Sequence, residues 1–95
     1  MLYDDVREKF EKACEEVLTG FEQVGHRNDI YQYEGELTIT QVKQIMDKAD
    51  LKWQPGFGEI PDSDGDWFVE PSTEPEDGGC GMCLSKDGNI YMNMY

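Results

Sequence analysis

Along the first quarter of the chain, apolar residues recur at steps of three and four. Val6, Phe10, Cys14, Val17, Phe21 and Val24 form one stripe, which Ala13 and Leu18 widen. That is the period of an amphipathic helix, and it predicts one over residues 3–24. Asp4 and Asp5 fall in its first turn, where the helix dipole favours negative charge. Asp5–Lys9, Arg7–Glu11 and Glu8–Lys12 have the spacing of supporting ion pairs. Gly20 is a weak point, and Gly25 is the expected C-terminal stop. A second stripe, Ile39, Val42, Ile45, Met46 and Ala49, predicts a helix over 39–50. Thr38 or Thr40 can cap its start, Thr38 and Gln41 having capping-box spacing, and Lys43 and Lys48 sit on its polar face.

Between the helices the pattern is mixed. Residues 25–29 read as a loop, Tyr31 and Tyr33 alternate with polar residues as in a short extended piece, and Glu34-Gly35 turns the chain. After Leu51 the period changes. Residues 53–61 hold too much Pro and Gly for a helix. Trp67-Phe68-Val69 is a compact strand-forming run, and residues 71–79 form a loop. Residues 81–85 and 89–95 flank Lys86-Asp87-Gly88, and Asp-Gly between two such runs is a strong hairpin signal. Ile90, Met92 and Met94 alternate with Tyr91, Asn93 and Tyr95. The expected fold class is α+β, with two helices packed on a three-stranded antiparallel sheet. All 95 residues are read as one domain, since that length leaves no room for two.

Charge changes this picture. The chain has 21 Asp and Glu against 8 Lys and Arg, a net charge of -13. Its sequence pI is about 4.1 and its mean hydropathy is -0.70. No apolar run is long enough to span a bilayer, so no membrane role is expected. Direct binding of nucleic acid is also unexpected, because phosphates would be repelled. Aromatics at 12% are too many for a disordered acidic tail. The N-terminus begins with acid rather than the basic and apolar regions of a secretion signal. Together with an odd number of cysteines, three, this points to the cytoplasm.

The acids are unevenly spread. Residues 53–85 hold eight acids and no base: Glu59, Asp62, Asp64, Asp66, Glu70, Glu74, Glu76 and Asp77. They lack the neutralising bases found in the first helix. As a solvated loop they would only add solubility. As a surface they would bind a basic partner, with fast and salt-sensitive association. The predicted first helix adds a row at Asp4, Glu8, Glu11, Glu15 and Glu22, spanning roughly 27 Å. Trp53, Phe57, Trp67 and Phe68 could anchor a partner, although a chain this small needs most of them in its core. High acidity in a small chain resembles phage-encoded inhibitors that mimic nucleic acid. The likeness lies in size and charge, and no motif carries it. The leading expectation is a non-enzymatic inhibitor of the anti-restriction, anti-CRISPR or host-takeover kind. It would act in the chain's own or a host cytoplasm, docking on and blocking a basic, nucleic-acid-binding protein.

Other chemistry is thinner. Cys80-Gly-Met-Cys83 is a C-x-x-C, the basis of an alternative metal-binding or redox function. Zinc would need four ligands, and only Cys14 and His26 could complete the set. A redox pair is expected at a helix N-terminus, whereas Cys80 and Cys83 within a strand would point to opposite faces. Asp62-Ser-Asp64-Gly-Asp66 fails the EF-hand pattern, because glycine falls at position 4 and Thr73 at position 12. A looser calcium or magnesium site from Asp62, Asp64, Asp66 and Glu70 stays open. His26, the sole histidine, reads as exposed surface. No resident cofactor or catalytic residue is expected. A third function class uses residues 90–95 as an open sheet edge that pairs with a partner strand or, in a homodimer, with its own copy.

Overall fold

The structure is a computed structural model, and it describes residues 2–24, 30–54, 66–73 and 79–94. The elements in chain order are α1 (Leu2–Val17), β1 (Glu22–Gln23), β2 (Ile30–Gln32), α2 (Ile39–Ala49), β3 (Leu51–Trp53), β4 (Asp66–Pro71), β5 (Cys80–Ser85) and β6 (Asn89–Met94). Among the described residues the fold is α+β, with two helices and one antiparallel sheet. The sheet has six strands in the order β1-β2-β6-β5-β4-β3, not the three expected. The three anticipated strands are β4, β5 and β6. Of the additions, β2 overlaps the short extended piece expected at Tyr31 and Tyr33, while β1 and β3 are two and three residues long, too short to carry a periodic signal.

α1 ends at Val17, seven residues before the predicted end. Gly20 takes a left-handed φ of +88° that breaks the helix. Phe21 then stacks on Tyr31 with ring centroids 4.9 Å apart, which lays residues 22–23 against β2 as a strand. α2 begins as its sequence directs. The Thr38 side chain accepts from the Gln41 N–H, and Gln41 Oε1 accepts from the Thr38 N–H at 3.0 Å. Asp50, at a left-handed φ of 57°, closes the helix.

The register sorts the sheet into two faces. Trp67, Val69, Met82, Leu84, Ile90, Met92 and Tyr31 are buried and, with Phe10, Ala13, Cys14, Val42 and Ile45 of the helices, make the core. The opposite face carries Asp66, Phe68, Glu70, Cys83, Ser85, Tyr91, Ile30 and Lys52. Trp67 is 2% exposed, and half-buried Trp53 packs on the same core. The core reading of these two aromatics therefore holds, while Phe68 faces away and Phe57 lies outside the described residues.

The turn between β5 and β6 has the form of a three-residue hairpin loop. The Gly88 N–H donates to Ser85 O at 2.9 Å, and Gly88 has φ +93°. Residues 33–37 dock on this turn through Tyr33 N–H to Gly88 O and Leu37 N–H to Lys86 O. Over Ile90–Tyr91, β6 pairs with β5 on one side and β2 on the other. This part of the terminal strand is therefore interior, and the expectation of an open edge at residues 90–95 is corrected there. The cause is β2, whose three residues cover that side.

Candidate functional site

Of the eight acids singled out in residues 53–85, Glu59, Asp62, Asp64, Glu74, Glu76 and Asp77 lie outside the described residues. Asp66 and Glu70 are described. Both belong to β4 and, four positions apart, share the sheet face away from the helices, about 13 Å from one another. Asp66 is exposed. Glu70 is half-buried, and Lys52 Nζ approaches its Oε1 to 3.6 Å across the β3–β4 pair. The expectation that this stretch lacks neighbouring bases is therefore wrong at Glu70, because antiparallel pairing sets Lys52 opposite it.

The α1 acids form a shorter row than expected. Asp4, Glu8 and Glu15 are exposed, and Glu11 accepts a hydrogen bond from the Tyr31 hydroxyl. Glu22 leaves the row because the helix has ended, and it joins β1 on the sheet face opposite the helices. Asp5, Glu8, Glu11 and Glu15 line a groove of about 800 Å³ with Lys9, Lys12 and Thr73. Thr73 immediately precedes Glu74 in the chain. The acids of α1 thus share one groove with Thr73, two residues past the end of β4. Lys48 Nζ reaches Glu16 at 3.3 Å and ties α2 to α1 at the surface.

The cysteines do not converge. Cys14, Cys80 and Cys83 are free thiols and all are buried. Cys80 stands opposite Met94 and Cys83 opposite Tyr91 in the β5–β6 ladder. Three positions apart on one strand, they point to opposite faces. Cys14 sits in the helix-facing core. Burial, then Glu11 and Glu15, push its thiol far above the ordinary range. Burial and then Glu70 raise Cys80. Burial raises Cys83, hydrogen bonding to Tyr91 and Ser85 draws it partly back, and Asp66 and Asp87 add to the rise. A reactive cysteine needs a stabilised thiolate, and each of these environments favours the neutral thiol. His26 lies outside the described residues. Among the described residues, no three His, Cys, Asp or Glu side chains are arranged to hold a metal ion.

Sequence reading assigned Val24 to the buried stripe of the first helix and passed over Ile30. They are 50% and 45% exposed, the large apolar side chains that the described surface leaves most open. Only the pairing of β1 with β2 brings them together. Among the described residues no helix is long and apolar enough to cross a membrane. The chain matches no protein-family model, no curated protein and no solved structure.

Proposed function

We propose that this chain is a non-enzymatic binding protein whose acidic surface docks on a basic, nucleic-acid-binding protein and blocks it by occupancy. One observation carries the reading: among the described residues no charged side chain is buried. The acidic excess of those parts therefore stays at the surface, where it acts outward as a field. Duplex DNA presents about one charge per 1.7 Å of axis. Carboxylates on a rigid helix and sheet can offer a basic groove a comparable target. The cytoplasmic setting, and the restriction, CRISPR or host-takeover machinery as targets, belong to this proposal.

The test is a pull-down from nuclease-treated bacterial lysate with a rising salt gradient, read by mass spectrometry. It is repeated with a variant carrying Asp66→Asn, Glu74→Gln, Glu76→Gln and Asp77→Asn. A single basic nucleic-acid-handling protein should elute at moderate salt, bind the variant more weakly, and lose less of that affinity as salt rises. Unchanged affinity and unchanged salt dependence in the variant would sink the reading.

A further inference from the structure

The helices cover one face of the sheet. On the other face the register aligns a row across five neighbouring strand positions. Phe68 stands opposite Cys83, Cys83 opposite Tyr91, and Tyr91 opposite Ile30. The Val24 N–H, continuing β1 by one residue, donates to Ile30 O at 3.0 Å. With strands about 4.8 Å apart, the row runs about 19 Å. It is separate from the core, which includes neither Val24, Ile30, Tyr91 nor Phe68. Its Val24–Ile30 end is the open part, and Tyr91 beside it is half-buried.

Polar and acidic residues flank this row. Glu22, two positions before Val24, shares its face and is exposed. Asp66 is exposed and lies near enough to raise both the Cys83 thiol and the Tyr91 hydroxyl, and Asp87 also acts on Cys83. Cys83 in the middle of the row is buried and Phe68 is half-buried, so the surface on offer is the Val24–Ile30–Tyr91 end. An exposed apolar patch with an acidic rim has the layout of an interaction surface. Charge decides the occupant. A second copy, itself of net charge -13, would set like charge against like. A partner presenting arginine fits better. Guanidinium groups pair with carboxylates, stack on aromatic rings, and carry apolar stems.

We propose that the basic partner docks on the sheet face opposite the described helices, with Val24, Ile30 and Tyr91 as its apolar centre and Glu22 and Asp66 as arginine-pairing rim. This inference rests on the basic-partner reading and narrows it from the acidic surface as a whole to one face.

The experiment uses the ¹⁵N-labelled full chain at near-physiological salt and two peptides of equal charge, one alternating arginine with leucine, the other arginine with glycine. The leucine peptide should bind more tightly and shift the amides of Val24, Ile30 and Tyr91. Val24→Ser with Ile30→Ser should weaken the leucine peptide at least about fivefold and leave the glycine peptide unchanged. Both positions are exposed, and a retained amide spectrum verifies the fold. Shifts confined to α1, or equal loss of both peptides, would overturn the sheet-face assignment and leave the basic-partner reading standing. Shifts of the same residues with protein concentration alone would assign the face to a second copy instead. Failure of both peptides to bind would overturn both readings.

Discussion

Gly88 is held in place by two independent demands. Its φ of +93° lies where a side chain costs about 1–2 kcal/mol. A Cβ there would also stand 2.2 Å from Tyr33 O and 3.0 Å from Gly35 O. Both are backbone atoms, so relief would require moving the segment whose Tyr33 N–H donates to Gly88 O. Gly20 has nearly the same φ, +88°, but nothing within 4 Å of its Cβ direction. Gly88→Ala should therefore cost at least about 3 kcal/mol, and Gly20→Ala only about 1 kcal/mol. Urea midpoints of the two variants check this, and equal losses would refute the backbone clash. The turn itself was legible, since Asp87-Gly88 is a hairpin signal. Its contact with Tyr33 was not, because no local pattern records which distant segment will lie on a turn.

At the scale of elements, α2 is the case where local chemistry and tertiary structure agree. Thr38 and Gln41 satisfy one another's backbone donors, as their spacing implies. Thr38→Ala should cost about 1 kcal/mol, which lowers the melting temperature by about 4–8 °C in a domain this size. Calorimetry would detect it, and an unchanged midpoint would show that the cap is idle. α1 shows the limit of periodicity. Phe21 and Val24 fit the helical stripe, yet Phe21 is drawn off by stacking on Tyr31 and Val24 continues a strand. A stripe reports which residues could share a face, and it does not say where a glycine will stop the helix. The edge strands were illegible for a related reason: two or three residues acquire strand character from a neighbour, not from themselves.

For the whole molecule, the acidic excess should be felt in stability as well as in binding. Self-repulsion at a net charge of -13 opposes the compact state, and salt screens it. The melting temperature should rise by a few degrees between about 20 and 200 mM sodium chloride, and a flat or falling profile would mean the repulsion is already balanced. The acidity was fully legible as composition. Its arrangement was not, because Lys52 neutralises Glu70 only across a strand pair. The strand order carries one more consequence. β1 and β2 meet the rest of the sheet only through β6, and β3 and β4 only through β5. The ribosome therefore makes both wings before it makes the hairpin that joins them. Until that hairpin is made, β2 and β4 each lack one neighbouring strand, so the sheet can close only once β5 and β6 are in place.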